Sequence, residues 1–203
     1  MGGLLIVLSG PSGAGKGTVA GELIKTGDIE LSISCTTRCP RKNEVDGKDY
    51  FFKTREEFAN MIKNDEFLEY AGVFDNYYGT PKNYVFEKLS NGRDVLLEVD
   101  VAGAKTIRER YSDAVLIFLV PPSMAELERR ICSRATETCS QIQKRLSTAK
   151  YELELCSEYD YIIVNKDIDK VVDNVKAIIT AEKRKVFRNK NICKTILEGG
   201  EIV

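Results

Sequence analysis

Residues 4–18 read Leu-Leu-Ile-Val-Leu-Ser-Gly-Pro-Ser-Gly-Ala-Gly-Lys-Gly-Thr, an apolar run typical of a buried strand followed by a glycine-rich turn. Glycines let a backbone curl closely around an anion with its N–H groups pointing inward. Lys16 adds a point charge that can follow the β- and γ-phosphates. Val19, Leu23 and Ile24 share one face of a predicted helix, whose N-terminus brings a positive dipole end to the same place. The stretch therefore predicts a loop that binds a nucleoside triphosphate.

The loop departs from the commonest phosphate-loop pattern at one position. Gly17 follows Lys16 where a Ser or Thr usually offers its hydroxyl to Mg²⁺, and Thr18 comes one residue later. We therefore expect no direct protein ligand for a metal, only contact through water. The predicted loop residues are Gly10, Pro11, Ser12, Gly13, Ala14, Gly15, Lys16, Gly17 and Thr18.

Composition restricts the class of protein. The chain has 203 residues, enough for one α/β domain with a sizeable core, and its net charge of −1 favours neither a nucleic-acid nor a membrane partner. No basic region precedes the first apolar run, and the longest apolar run, residues 114–120, is too short to cross a bilayer. We therefore expect a cytoplasmic protein, either a monomer or a homo-oligomer.

Cysteine and histidine usage excludes several chemistries. The six cysteines show no C-x-x-C spacing, which argues against a zinc or thioredoxin-type site and predicts free thiols. The chain has no histidine, which excludes Ser-His and Cys-His hydrolases and imidazole metal sites. Phosphoryl transfer fits this composition because it depends on positioning and charge stabilisation more than on acid–base groups.

Alternation of strands and helices predicts an α/β fold with three layers, a parallel sheet covered on both faces. Expected strands span residues 4–9, 95–99, 114–120 and 161–164. Expected helices span residues 101–111, 123–134, 140–157 and 168–187. In one of these helices, Ser123 and Glu126 have the spacing of a capping box, and Pro121-Pro122 should end the strand before it.

Residues 32–83 interrupt this alternation with short strand-like pieces and one helix, capped by Thr54 and Glu57. The apolar face of that helix comprises Phe58, Met61 and Ile62. We interpret 32–83 as a small inserted lobe, 126–145 as a helical lid, and 1–31, 84–125 and 146–187 as the core of a domain spanning 1–187. The tail, 188–203, has weak periodicity, which indicates partial order at best.

A second motif points to an anion. Residues 34–50 read Ser-Cys-Thr-Thr-Arg-Cys-Pro-Arg-Lys-Asn-Glu-Val-Asp-Gly-Lys-Asp-Tyr. The guanidinium groups of Arg38 and Arg41, three residues apart, can grip one phosphate bidentately, and Tyr50 can add a hydroxyl. Glu69 and the run Asn-Tyr-Tyr-Gly-Thr at 76–80 follow.

Together these motifs resemble the guanylate kinase family. The likeness continues through Leu-Glu-Val-Asp at 97–100, Val-Pro-Pro-Ser at 120–123, Arg-Ala-Thr-Glu-Thr at 134–138, Lys-Arg-Leu at 144–146 and Ile-Val-Asn at 163–165, in one register over about 3–187. The resemblance implies ATP-dependent phosphorylation of GMP, extending to dGMP, as a step in purine nucleotide metabolism and GMP recycling. It implies Mg²⁺, bound with ATP and contacted through water by Thr18 or Asp100. Because water must be excluded from the reaction, we expect the lobe and lid to close over both substrates.

The resemblance also assigns roles to residues. The implied GMP site is Ser34, Arg38, Arg41, Tyr50, Glu69, Tyr78, Thr80, Glu98 and Asp100. Asn165 joins the ATP site, and the implied catalytic residues are Lys16, Arg38, Arg134 and Arg145. Arg130 also resembles a lid arginine, but it fits a plain solvated helix charge better than Arg134 and Arg145 do. Ala135 stands where the family pattern has Gly, which puts a hinge there in doubt.

Two alternatives remain at this point. Another nucleoside monophosphate kinase, such as adenylate kinase, shares Gly-Lys-Gly-Thr, but Glu69 and the segment around Arg38 argue against it. A guanylate-kinase-like scaffold domain would bind protein ligands without catalysis, but such domains have typically lost parts of the phosphate loop, which is intact here.

Overall fold

The computed structural model describes residues 2–73, 75–132 and 139–201, excluding the side chains of Val73, Cys139 and Ser140. Its strands are β1 (Leu5–Ser9), β2 (Ile29–Leu31), β3 (Cys35–Thr36), β4 (Phe51–Phe52), β5 (Phe67–Val73), β6 (Asn76–Pro81), β7 (Asp94–Glu98), β8 (Val115–Val120) and β9 (Tyr161–Val164). Its α-helices are α1 (Lys16–Lys25), α2 (Arg55–Lys63), α3 (Lys82–Ser90), α4 (Val101–Arg110), α5 (Met124–Cys132), α6 (Cys139–Glu154), α7 (Ile168–Lys183) and α8 (Asn191–Leu197). Short 3-10 helices span Leu155–Glu158 and Val186–Arg188.

A parallel sheet with the order β2-β7-β1-β8-β9 forms the centre of the fold. Side chains of β1 alternate between its faces: Ile6 and Leu8 pack with α1 and α7, while Leu5 and Val7 pack on the side of α4. The predicted α/β class with a parallel sheet is confirmed. The strand β2 was not predicted, because three residues are too few to show a pattern.

The interrupting segment forms a second, mixed sheet with the order β4-β3-β6-β5. Thr54 and Glu57 make the predicted capping box at the start of α2. Phe58 of that helix stacks on Phe67, with ring centroids 4.5 Å apart, and Met61 and Ile62 pack against the same cluster. This small apolar core fixes the strands that carry the second group of predicted site residues.

The helices differ from expectation mainly outside the central sheet. The helix α3 was not predicted, because Val85 is its only fully buried residue and its apolar periodicity is weak. The tail contains α8 and is therefore more ordered than its sequence indicated.

The start of α5 has the expected cap. The amide N–H of Glu126 donates to the Ser123 hydroxyl at 3.1 Å, as the spacing of these two residues predicted. Across the described ranges no helix has the length and apolar character needed to span a membrane.

Candidate active site

The glycine-rich loop connects β1 to α1, at the carboxyl end of the central strand. Gly10 has a φ of 141° and Gly15 a φ of 95°. Residues with a side chain rarely adopt such a positive φ. A Cβ on Gly10 would lie 2.1 Å from the Leu119 carbonyl oxygen, and one on Gly15 would lie 2.4 Å from Asn165 Nδ2. Both glycines are therefore required for the loop to lie this close to its neighbours.

The Lys16 side chain folds back to the first residue of the loop. Its ammonium donates to the Gly10 carbonyl at 2.6 Å. The loop borders an open cavity of about 370 Å³. The lining residues are Ser12, Gly13, Gly15, Lys16, Gly17, Thr18 and Glu98. A lysine ammonium at a glycine-rich loop that leads into a helix N-terminus suits a polyphosphate.

Residues distant in sequence support the loop. Asn165, directly after β9 and 8% exposed, donates its amide to the Ala14 carbonyl at 2.7 Å. Arg130 donates to the Ala14 and Asn165 carbonyls at 3.3 and 2.9 Å and pairs with Glu126 at 2.7 Å. Arg130 is therefore not a plain solvated helix charge, because its guanidinium bridges α5 to the loop.

Only one of the two predicted catalytic arginines after α5 can be located. Arg145, on α6, donates to the Ser12 hydroxyl at 2.6 Å. The loop is therefore contacted from α6 as well as by Asn165 after β9 and by Arg130 on α5. Arg134 and Ala135 lie outside the described residues.

Tyr159 is a supporting residue that the sequence did not reveal. Its hydroxyl donates to the buried hydroxyl of Ser9 at 3.0 Å, immediately before the loop. Burial raises the pKa of Tyr159 to about 12, so the donor stays protonated. The two residues are 150 positions apart, and no local pattern links them.

The smaller sheet gathers the second group of residues around Arg38. The guanidinium of Arg38 pairs with Glu44 at 2.8 Å, and the backbone N–H of Arg41 donates to the same carboxylate at 2.8 Å. Arg38 lies 5.6 Å from the Tyr50 ring centroid, and Tyr50 meets Tyr78 edge-on at 6.1 Å. Glu44 and Tyr78 both raise the pKa of Arg38, so it is a fixed cation.

Glu69 is buried beside this cluster. It is 8% exposed, and its carboxylate accepts from the Thr80 hydroxyl at 2.6 Å. Burial raises the pKa of Glu69 and Asp100 adds to the rise, while Thr80 opposes it. Ser34 lies just before β3 in the same sheet, where its carbonyl accepts from Phe51 N–H at 2.9 Å.

Two carboxylates at the end of β7 face different neighbours. The exposed carboxylate of Glu98 faces the loop, since a Cβ on Gly17 would lie 3.5 Å from Glu98 Oε2. Asp100 caps α4 by accepting from Gly103 N–H at 2.8 Å. A Cβ on Gly103 would lie 3.1 Å from Glu69 Oε2, which places Asp100 on the Glu69 side.

The predicted site residues thus form two groups joined by the end of β7. One group surrounds a polyphosphate-binding loop, and the other combines a buried carboxylate and an arginine–tyrosine cluster in the smaller sheet. Carboxyl ends of parallel strands are where open α/β sheets bind ligands.

Comparisons with known proteins identify the family of this chain. A profile of the guanylate kinase family matches residues 3–182. A guanylate kinase of Caldanaerobacter subterraneus subsp. tengcongensis is 53% identical to this chain, and the match covers 97% of this chain and 96% of that protein. A guanylate kinase of Clostridioides difficile is 52% identical, and the match covers 94% of this chain and 93% of that protein. A crystal structure of guanylate kinase from Anaplasma phagocytophilum is similar with a TM-score of 0.74 and 39% identity, covering 92% of this chain and 89% of its own. These matches, with the intact loop, decide against adenylate kinase and against a non-catalytic scaffold, and the chain is an enzyme that belongs to the guanylate kinase family.

Proposed function

We propose that this enzyme transfers the γ-phosphoryl group of ATP directly to GMP, and also to dGMP, with ATP on the glycine-rich loop and the nucleoside monophosphate at the smaller sheet. The observation that carries the proposal is the buried Glu69 carboxylate, bonded to Thr80 in the same sheet that carries the Arg38–Tyr50–Tyr78 cluster. The carboxylate can recognise a base and the cluster can bind an anion. Both substrates are intracellular metabolites, so the proposed location is the cytoplasm. There the reaction returns GMP to the purine nucleotide pool.

In this proposal Glu69 reads guanine. Guanine offers N1–H and N2–H₂ donors on one edge, and an ionised carboxylate can accept from both. Each charge-assisted bond contributes about 1.5–3 kcal/mol. Adenine presents an acceptor at N1 and would leave Glu69 buried without partners, a mismatch that can cost roughly 10⁴-fold in kcat/KM. Thr80 and Ser34 complete the base site.

Arg38, Arg41, Tyr50 and Tyr78 hold the GMP phosphate in this account. Glu44 keeps both arginines in place while no phosphate is bound, because it accepts from the Arg38 side chain and the Arg41 backbone. The phosphate competes with Glu44 for the Arg38 guanidinium and offers it the bidentate contacts that arginine favours.

The ATP side supplies positioning and charge. Backbone N–H groups of the loop cradle the β-phosphate, and Lys16 follows the transferring group. Arg145 and Arg134, with Arg38, neutralise the charge that develops on that group. Asn165 contributes by fixing the Ala14 carbonyl under the loop rather than through the adenine base. Closure of the smaller sheet and of 126–145 over both substrates excludes water, and small-angle scattering without compaction on a bisubstrate analogue would argue against it.

Mg²⁺ bound with ATP fits the residues around the loop. The exposed carboxylate of Glu98 and the exposed Thr18 lie at the mouth of the cavity and offer oxygen donors of the kind Mg²⁺ prefers. Asp100 also holds the start of α4, where one of its carboxylate oxygens accepts from Gly103 N–H. The ion, when bound, offsets negative charge on the phosphates.

A binding experiment on single variants tests the two-site assignment. We expect Lys16→Met to weaken ADP binding at least tenfold while GMP affinity stays within twofold, and Arg38→Met to do the reverse. Arg93→Met, which removes an exposed pair with Glu30, serves as the control and should change neither. Loss of both ligands in either site variant, with the fold intact, would contradict two separate sites.

A further inference from the structure

Two adjacent threonines lie at the end of β3, directly before Arg38. Thr36 is fully buried and Thr37 is half-buried. The hydroxyl of each threonine accepts a backbone N–H. Thr36 Oγ1 accepts from Arg38 N–H at 3.2 Å, and Thr37 Oγ1 accepts from Tyr77 N–H at 2.9 Å. Both hydroxyls therefore hold the backbone at the point where the chain leaves the strand.

The Thr37 hydroxyl extends the pairing of β3 with β6 by one position. The Thr37 N–H donates to the Tyr77 carbonyl at 3.1 Å. In a regular antiparallel pair the second bond would run from the Tyr77 N–H to the Thr37 carbonyl, but here the Thr37 hydroxyl accepts that N–H. The chain bends at Thr37 and Arg38. The hydroxyl thus completes the last bonded pair of the two strands where the backbone turns away.

Thr36 shares a face of the smaller sheet with the arginine–tyrosine cluster. Residues directly opposite each other on paired strands point to the same face. Thr36 lies opposite Phe52 of β4 and opposite Tyr78 of β6. The Arg38 guanidinium carbon lies 6.0 Å from the Phe52 ring centroid, whereas Cys35, on the other face, belongs to the apolar core. The Thr36 hydroxyl is therefore buried on the side of the sheet that carries the Arg38 side chain.

A role in sheet stability alone explains these hydroxyls poorly. Valine has nearly the shape of threonine, favours strands as strongly, and brings no hydroxyl that costs free energy on burial. Valine lacks only the acceptor for the N–H groups of Arg38 and Tyr77. Bidentate binding of a phosphate depends on the direction of a guanidinium more than a single contact does. A fixed backbone at Arg38 is therefore what the hydroxyls add.

We propose that Thr36 and Thr37 are positioning residues for the GMP phosphate, because their hydroxyls hold Arg38 and Tyr78 in place on the two sides of the anion site. Thr36 fixes the first side through the Arg38 N–H. Thr37 fixes the second side through Tyr77, the residue before Tyr78. The inference rests on the proposed GMP site, since the phosphate is the group that these contacts orient.

Paired substitutions separate the hydroxyl from the shape of the side chain. Thr36→Val and Thr37→Val remove the acceptor, so each should raise the Kd and the KM for GMP about tenfold. Thr36→Ser and Thr37→Ser keep the hydroxyl, so both constants should stay within about threefold of the unsubstituted protein. The KM for ATP should stay within about twofold in all four variants. A loss of fold stability would instead lower kcat through a smaller active fraction and leave both KM values unchanged.

A double-mutant cycle tests whether Thr36 acts through Arg38. Arg38→Met removes the guanidinium that the Thr36 hydroxyl orients. Adding Thr36→Val to Arg38→Met should therefore change the Kd for GMP by less than about twofold further. An equal effect of Thr36→Val in both backgrounds would overturn the proposal.

Thr26 offers a matched control outside the smaller sheet. Its half-buried hydroxyl donates to the Leu23 carbonyl at 2.7 Å, at the end of α1. Thr26→Val removes a bond of the same kind, from side chain to backbone, and should leave both KM values within about twofold. Unchanged GMP binding in either Thr36→Val or Thr37→Val would overturn the proposal. A loss in the serine variants equal to that in the valine variants would overturn it as well.

Amide hydrogen exchange reports on the two bonds without substitutions. In the ligand-free protein the N–H groups of Arg38 and Tyr77 should exchange at least about tenfold more slowly than unprotected amides. Exchange at the unprotected rate would overturn the proposal even if a valine variant failed to fold. Unsubstituted protein that bound no GMP would contradict the proposed GMP site, whereas valine variants that bound GMP normally would contradict only the role of the threonines.

Discussion

Thr80 donates its hydroxyl to Glu69 at 2.6 Å within the smaller sheet, and both side chains are shielded from solvent. The pairing follows from the register, in which Tyr70 of β5 lies opposite Gly79 of β6, so their neighbours Glu69 and Thr80 meet. An irregularity in β5 between Phe67 and Tyr70 accompanies this contact. The result is a carboxylate held in one orientation at a cost in solvation.

Glu69→Gln should lower activity and raise stability. The amide keeps an acceptor for Thr80 but replaces one acceptor toward guanine with a donor, so we expect kcat/KM for GMP to fall by about 10²-fold or more. At pH 7 the same change removes the cost of burying a charge, so the free energy of unfolding should rise. Steady-state kinetics and urea unfolding measure the two effects. A variant that is both less active and less stable would contradict this explanation.

The effect of Glu69 on stability should depend on pH with a definite sign. Burial raises the pKa of Glu69 in the folded protein, so the folded state binds its proton more tightly than the unfolded state. Its stabilising contribution is fully present below about pH 4.5 and is lost as the pH rises through the folded-state pKa. The stability gained by Glu69→Gln should therefore be largest near neutral pH and shrink as the pH falls. Urea unfolding of both proteins at several pH values tests this, and a gain that grew on acidification would refute it.

Lys16→Met should abolish turnover without unfolding the protein. The substitution removes the ammonium that lies over the loop and donates to the Gly10 carbonyl, while the strand and helix on either side keep their packing. We expect kcat to fall by about 10³-fold or more. Lys25→Met, at an exposed pair with Glu22 on the same helix, is the control and should retain full activity. Near-normal turnover in Lys16→Met would rule out a phosphate-binding role for the loop.

Much of this architecture could be predicted from local sequence. Glycine spacing with Lys16 indicates a phosphate loop because the physical requirement lies within nine consecutive residues. The paired arginines around Pro40 indicate an anion site for the same reason. The contacts of Arg130 with the loop and of Tyr159 with Ser9 could not be predicted, since each joins residues more than 100 positions apart. Asn165 was assigned to the ATP site by the family resemblance alone, and its bond to the Ala14 carbonyl spans a similar separation.

Two cysteines that flank Arg38 should differ sharply in reactivity. Cys39 is exposed, whereas Cys35 is buried in the core of the smaller sheet and burial raises the pKa of its thiol to about 11. Iodoacetamide at pH 8 should therefore label Cys39 and leave Cys35 unlabelled until the protein is unfolded. Peptide mass spectrometry reads both sites, with the exposed Cys193 as an internal control. Equal labelling of Cys35 and Cys39 in the folded protein would contradict the buried placement.

The most direct measurement is ADP formation from ATP and Mg²⁺ with each nucleoside monophosphate in turn, followed by a coupled assay. The account predicts turnover with GMP and dGMP and essentially none with AMP, CMP or UMP, because only guanine offers two donors to the Glu69 carboxylate. Comparable turnover with AMP or a pyrimidine nucleotide would contradict the assignment of Glu69 as the base reader. Absence of turnover with every nucleotide would contradict the proposed reaction itself.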